Sequence, residues 1–320
     1  PHPALLASKG CDDMSYTLLE LVDQMNGELG LNQPVSVIGN SNKDTKQQLA
    51  LINRLGKDLV RDFEWQRLVK AYIFQTTAAV TTTGDVTSGS AVVTGIPSTT
   101  SIAAQNVVTG TTASGLAPYV EVLTVDSSTQ VTLTQPVTTS GTAVSLTFAK
   151  QDYAMPAGYD RMISDTNWDR ANHWRNLGSK TSQEWQWLQG GVISVGPRER
   201  YRIYNNKMRI FSALTSVYTF AFEYVGNNWV VPTGGDAGTK SAFSLDTDTC
   251  VFPDDLMLAG LKFYFLKAKK LDCGVELGEF MRSLSYCKAQ DVPTPSQSLT
   301  PQVQSELVGP WSIQDGSWPQ

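Results

Sequence analysis

The chain has 320 residues, with 25 Lys and Arg against 30 Asp and Glu, so its formal charge at pH 7 is −5. Charged residues make up 17% of the chain and hydrophobic residues 41%, whereas globular domains carry about 25% charged residues. This composition is too apolar for a disordered chain. The acidic balance also argues against a protein that binds nucleic acid over a broad basic surface.

The first segment does not resemble a targeting signal. Residues 1–13 lack the charged region and the apolar region of a signal peptide. Met14 is followed almost at once by a helical pattern. We therefore interpret residues 1–13 as an extension or a tag remnant, and Met14 as the natural start.

Residues 14–75 are predicted to form two amphipathic helices, the N-terminal helices of a scaffold. Apolar residues repeat at helical spacing up to Gly30, which is placed to end the first helix. A second apolar stripe ends at Phe63. Two such helices, joined by a polar loop, form a hairpin that needs a further partner to cover its apolar face.

Residues 76–149 differ sharply from the rest of the chain. They include about twenty threonines but only three charged residues, Asp85, Glu121 and Asp126. Short β-branched runs separated by Gly, Pro and Ser predict an inserted all-β module, sandwich-like or a small barrel. Because charged residues normally guard strand edges, these strands need another protection, either a packed neighbour or loops.

Residues 150–292 are predicted to return to the scaffold, first as strands and then as helices. Thr181 and Glu184 form a capping-box pattern that opens a short helix, and the pair Asn205-Asn206 predicts a hairpin turn. Four of the eight tryptophans lie in the first part of this segment: Trp168, Trp174, Trp185 and Trp187.

The end of the same segment is predicted to be helical. Pro253 and the acids after it are a favourable helix start, and Gly274 is placed to separate this helix from a second one. After Pro293 no periodicity remains, so residues 293–320 are predicted to be an extended C-terminal arm. The apolar residues of the second helix are Leu277, Met281, Leu284 and Cys287.

Together the segments predict an α+β fold: a helical-bundle scaffold with a β-hairpin or β-sheet region and the inserted sandwich-like module.

Basic residues around the predicted hairpin are the best candidates for contact with phosphate. Residues two apart on a strand share a face, so their charge would be concentrated there. The alternatives are a solvated strand face, or pairing between subunits with acids such as Asp160 and Asp165. The candidates are Arg198, Arg200, Arg202, Lys207 and Arg209.

The sequence contains no pattern that indicates catalysis or a cofactor. His173 is the only internal histidine, and no nucleophile elbow lies near it. Asp165, Asp169 and Glu184 lie among tryptophans and would suit glycoside hydrolysis or sugar binding, but this combination is unspecific. Phosphate-binding loops, dinucleotide fingerprints and zinc motifs are absent. We therefore expect no enzymatic activity, no cofactor and no metal, and the lack of an apolar run of about 18 residues predicts no membrane insertion.

Three segments resemble the head-to-tail adaptor (connector) proteins of short-tailed phages, the tail tubular protein A type. The first is LLELVDQMNGELGL with LALINRLGKDLVRDFEWQRL. The second runs from YAMPAGYDRMISDTNWDR through EWQWL to GPRERYRIYNNKMRIF, and the third is FAFEYVGNNWVV with CVFPDDLMLAGLKFYFLKAKKLD. The Thr-rich segment is similar to a β-module inserted in various phage structural proteins. With it, the resemblance covers roughly 250 residues.

This resemblance implies a structural virion protein that is made in the host cytoplasm and forms a ring, usually of roughly twelve copies. The ring would lie at the head-tail interface, between the portal protein and the tail nozzle protein, and genomic DNA would pass through it. The arm 293–320 would dock on the portal, with Trp311 and Trp318 as aromatic anchors. The basic strand would face a neighbouring subunit or DNA. The alternative is a receptor- or glycan-binding tail component that uses the tryptophans and the β-module.

Overall fold

A computed structural model describes residues 15–111, 114–190, 199–211, 214, 216–235 and 238–291. Within these residues the chain forms five α-helices and sixteen β-strands, and it divides into two compact units. The first unit takes its described residues from 1–70, 158–161 and 224–298, and the second takes them from 71–157 and 162–223. The predicted arm, with Trp311 and Trp318, lies outside the described residues.

Helices dominate the first unit. They are α1 (Leu18–Leu29), α2 (Lys43–Asp62), α4 (Asp254–Lys269) and α5 (Gly274–Asp291), and β15 (Val230–Val231) pairs with β16 (Thr249–Cys250) beside them. Helix α4 packs against the other three. Its buried residues include Leu256, Leu261 and Phe265, so α4 is the central helix of this unit.

The core of the first unit includes Trp229, which is fully buried. Its indole nitrogen donates a hydrogen bond to the carbonyl of Ser241 at 3.0 Å, and its ring lies edge-on to Phe243 at 5.1 Å. Gly56 of α2 lies directly against this ring, and a Cβ atom at that position would overlap the indole. Glycine therefore allows the helix and the tryptophan to pack closely.

The Thr-rich segment forms a closed antiparallel barrel of six strands, the barrel alternative rather than the sandwich-like module. The strands are β2 (Val80–Val86), β3 (Val92–Thr94), β4 (Val107–Gly110), β5 (Val120–Ser127), β6 (Gln130–Leu133) and β7 (Gly141–Ala149), and they close in the order β2-β3-β6-β5-β4-β7. Aliphatic side chains and Phe148 fill the interior. Because a closed barrel has no free edge, its strands need neither guarding charges nor a packed neighbour.

Two further sheets and a short helix contain the remaining strands and the fifth α-helix. The first sheet has the order β1 (Val69–Gln75), β14 (Thr219–Gly226), β10 (Trp168–Asp169) and β11 (Trp174–Arg175), and β9 (Tyr159–Met162) also pairs with β14. The second has the order β12 (Arg200–Tyr204), β13 (Lys207–Phe211) and β8 (Asp152–Ala154). The helix is α3 (Ser182–Gln189).

The prediction of a helical-bundle scaffold was wrong. The chain is a mixed, sheet-rich protein with several antiparallel sheets, and helices make up only part of it. The strands β8 to β11 have only two to four residues each. Strands of this length are too short to show the alternation of apolar and polar residues from which a strand is predicted.

Several local predictions were confirmed. Gly30 adopts the left-handed conformation and ends α1. Thr181 and Glu184 form a capping box at the start of α3. Asn205 and Asn206 both have positive φ angles and form the turn between β12 and β13. Each of these signals depends only on residues close together in the chain, so tertiary packing did not override it.

Candidate functional site

The basic residues predicted to contact phosphate or a neighbouring subunit lie on the hairpin of β12 and β13. Arg202 is directly opposite Arg209 in this antiparallel pair, and opposed residues share one face. Arg200 and Lys207 lie two residues from these positions and therefore on the same face. The structure brings four of the five candidates together, and the fifth, Arg198, lies outside the described residues.

Arg209 is enclosed by two carboxylates. Its Nε and Nη2 donate to the two oxygens of Asp152 at 2.6 and 2.9 Å, and its Nη1 donates to Glu121 at 2.9 Å. Asp152 belongs to β8 and Glu121 to the barrel strand β5. Arg209 therefore joins the hairpin to the barrel, and its positive charge is neutralised by carboxylates within the second unit.

The surroundings of Arg209 keep it protonated. Burial alone would lower the pKa of the guanidinium, but the hydrogen bonds and charge of Asp152, together with the charge of Glu121, raise this pKa above its ordinary value. Burial and a hydrogen bond to Glu121 also raise the pKa of Tyr119. Because Arg209 is neutralised by partners within the chain, it is not free to bind a DNA phosphate.

The other basic side chains of the hairpin have fewer partners. Arg202 donates to the hydroxyl of Ser182 at 3.0 Å. Lys207 lies 3.8 Å from Asp152, and its side chain is 42% exposed. Arg200 has a buried Nη1 atom with no hydrogen-bond partner among the described residues. On this face, Arg202 and Lys207 are the described residues that can present charge to a partner.

The four central tryptophans do not form a common aromatic surface. Trp168 and Trp174 lie on paired strands, but they occupy adjacent register positions and so face opposite sides of the sheet. Trp185 is buried and packs edge-on against Phe211 at 5.7 Å, whereas Trp187 is 66% exposed on α3. These four positions therefore do not provide an aromatic platform on one face.

The acids that would suit glycoside hydrolysis have structural partners. Asp165 pairs with Arg175 at 3.2 Å. Asp169 is buried and accepts hydrogen bonds from backbone N–H groups of the next turn. Glu184 closes the capping box of α3, and His173 is exposed in the turn after β10. Local folding therefore accounts for the three acids.

A second candidate surface lies on α5, in the first unit. Phe280, Leu284 and Cys287 form the buried stripe of this helix, and Phe280 stacks on Phe263 of α4 at 6.0 Å. Most of the helix is exposed, although it carries several large apolar side chains. The exposed ones are Val275, Leu277, Met281 and Tyr286, and Leu271 precedes the helix.

The exposed apolar residues of α5 form two separate flanks. With about 100° of rotation around the helix axis per residue, the midpoint between Leu277 and Met281 lies about 75° from the centre of the buried stripe on one side. Val275 and Tyr286 lie about 140° from it on the other side. Sequence spacing grouped Leu277 and Met281 with the buried residues, but Met281 is 52% exposed. Phe280, which the spacing did not include, turns the buried stripe away from them.

The comparisons with known proteins assign no family. No protein-family model matches the chain, and no curated protein matches it. In the part of the chain that the structure describes, no group of three or more His, Cys, Asp or Glu residues could hold a metal ion. None of the described helices has the length and hydropathy needed to cross a membrane.

Proposed function

We propose that the protein is a structural virion component: a ring-forming head-to-tail adaptor that joins the phage portal to the tail nozzle and forms part of the DNA channel. The observation that carries this proposal is the pair of apolar flanks on α5. Each subunit of a closed ring uses two different surfaces, one toward each neighbour, whereas a symmetric dimer uses one surface twice. One flank consists of Leu277 and Met281, and the other consists of Val275 and Tyr286. They are two unlike surfaces on one helix.

Contact between neighbouring copies would remove these side chains from water. Burying one large apolar side chain contributes about 1.5–3 kcal/mol. Four such side chains per subunit contribute several kcal/mol toward the entropic cost of association. A ring gains this contribution at every contact, including the one that closes it.

The charge distribution supports passage of DNA rather than its retention. The chain has a formal charge of −5, and the guanidinium of Arg209 is neutralised by Asp152 and Glu121. Tight binding of DNA requires many free cationic groups that displace counterions. A channel protein must instead let the genome slide, so a weakly acidic and charge-poor chain suits this role. The order of the adaptor-like segments in the sequence supports the same proposal.

The contact can be tested with one charged substitution on each flank. Met281→Glu damages one flank and Val275→Glu damages the other, so each variant alone should fail to form rings in size-exclusion chromatography with light scattering. Each variant retains one intact flank, and these two flanks are complementary. A mixture should therefore form a one-to-one complex that grows no further. Asn32→Asp, an exposed loop position in the same unit, adds the same charge and should leave the ring intact.

Two results would contradict the proposal. Rings that persist in both flank variants would show that α5 does not form the contact. A wild-type trimer that binds glycans would favour the receptor-binding alternative. Recruitment of the wild-type ring to purified portal protein separates an adaptor from other ring proteins. Deletion of the chain beyond Asp291 tests the arm, because portal binding that survives the deletion would refute its docking role.

A further inference from the structure

A cavity of about 270 Å³ opens between the barrel and the sheet of β8, β12 and β13 in the second unit. Ser101, residues 103–106 and Phe148 of the barrel segment line one side of it. Lys150, Asp152 and Lys207 line the other. Alongside apolar residues, the lining includes the hydroxyls of Thr77 and Ser101, two side-chain amides and two ammonium groups, which can donate hydrogen bonds to a ligand.

Asn106 is a buried polar residue of this lining. It is only 6% exposed, and its backbone N–H and carbonyl bind the carbonyl of Ala103 and the N–H of Val122. Its side-chain amide lines the cavity, where it can donate a hydrogen bond to a ligand.

The backbone beside Asn106 has an uncommon conformation. Gln105 has a φ of 69°, in the left-handed region that residues other than glycine seldom adopt. Its N–H donates to the carbonyl of Val122 on β5 at 2.8 Å, which anchors this conformation to the barrel. Both Gln105 and Asn106 line the cavity. Backbone outliers of this kind are concentrated at ligand sites, where the surrounding structure maintains them.

The charged groups at the cavity have a positive excess. Asp152 is the acid among the described lining residues, and both of its oxygens accept hydrogen bonds from Arg209. Lys150 is exposed, with its ammonium 5.1 Å from the ring of Tyr153, and Lys207 is partly exposed. The ammonium of Lys150 is therefore available to a ligand, and that of Lys207 is held only by a long contact of 3.8 Å with Asp152.

We propose that this cavity binds a phosphate group. Phosphate is an anion that accepts several hydrogen bonds, so it matches the two lysines, the Asn106 amide and the neighbouring hydroxyls. The group can come from free phosphate or from the backbone of DNA, which present the same oxygens. This site is separate from the apolar flanks of α5, so the proposal of phosphate binding does not depend on ring formation.

Equilibrium dialysis with radiolabelled inorganic phosphate tests the site directly. Asn106→Asp replaces a hydrogen-bond donor by a carboxylate at nearly constant volume, and it should weaken phosphate binding at least about tenfold. Lys150→Gln removes one charge at an exposed position and should weaken phosphate binding about fivefold. Because this position is exposed, the variant tests the site even where Asn106→Asp disturbs folding. Gln183→Glu, an exposed position on α3 outside the lining, is the matched control and should bind like the wild type.

A fluorescently labelled single-stranded oligonucleotide distinguishes the two sources. An oligonucleotide that binds the wild type and displaces phosphate identifies the DNA backbone as the ligand. Phosphate binding without displacement assigns the site to free phosphate. The proposal is overturned if neither probe binds saturably up to about 10 mM, or if both cavity variants bind as tightly as the control.

Discussion

Replacing Arg209 with methionine leaves two enclosed carboxylates, Asp152 and Glu121, without their main partner. The side chains of these acids are 11% and 16% exposed, so water can replace only part of the lost hydrogen bonding. Removing one partner from such an ion pair costs about 3–5 kcal/mol. Lys207 lies 3.8 Å from Asp152 and compensates in part. We therefore expect a loss of about 3 kcal/mol in the free energy of unfolding of the second unit, the lower end of that range.

Urea unfolding followed by tryptophan fluorescence measures this loss, because Trp185 packs against Phe211 on the same strand as Arg209. Arg202→Met is the matched control: the residue is directly opposite Arg209, but its partners are the exposed hydroxyl of Ser182 and the ring of Tyr204, with no carboxylate among them. The control should lose less than about 1 kcal/mol. Adding Glu121→Gln to the Arg209→Met variant removes one stranded charge and should restore about 1 kcal/mol. Equal losses in the two methionine variants would refute the reasoning.

Trp185→Ala should destabilise the second unit by about 3–5 kcal/mol because the ring is buried, whereas Trp187→Ala should change the stability by less than about 0.5 kcal/mol; thermal unfolding compares the two. Alanine usually stabilises a helix interior relative to glycine, but Gly56→Ala should lower the free energy of unfolding by about 1–3 kcal/mol, since the new methyl group overlaps Trp229. Burial raises the pKa of Asp248, but hydrogen bonds from a lysine and two backbone N–H groups outweigh burial and lower it overall. The stabilisation from this carboxylate is therefore present above about pH 4 and is lost as the pH falls through the lowered pKa. Urea unfolding from pH 6 to pH 2 should show a larger loss in the wild type than in Asp248→Asn, and equal losses would contradict this role of Asp248.

Sequence reasoning succeeded where the signal was local. The capping box of Thr181 and Glu184 and the left-handed Gly30 depend on residues within a few positions of each other. The Thr-rich composition correctly indicated an all-β module. It did not indicate closure, because closure depends on β7 pairing with both β2 and β4. These partners lie tens of residues away in the chain, and no local pattern encodes their pairing.

The candidate site was only partly visible in the sequence. Alternation correctly placed Arg202 and Arg209 on one face, but their different surroundings depend on Asp152 and Glu121, which come from other elements. The cavity beside Asn106 was missed for the same reason. The Gln105-Asn106 pair before a β-branched run was a usable signal for a turn, but not for a ligand site. On α5, spacing identified the apolar residues and could not show which of them α4 covers.

The mass of the purified wild-type protein tests the central claim most directly. Mass photometry at micromolar concentration counts the copies in each particle, and negative-stain images of the same sample show whether the particle closes. A head-to-tail contact through the two flanks of α5 predicts one dominant closed ring, and the resemblance to adaptor proteins implies roughly twelve copies in it. Monomers, symmetric dimers or open filaments under the same conditions would contradict the account.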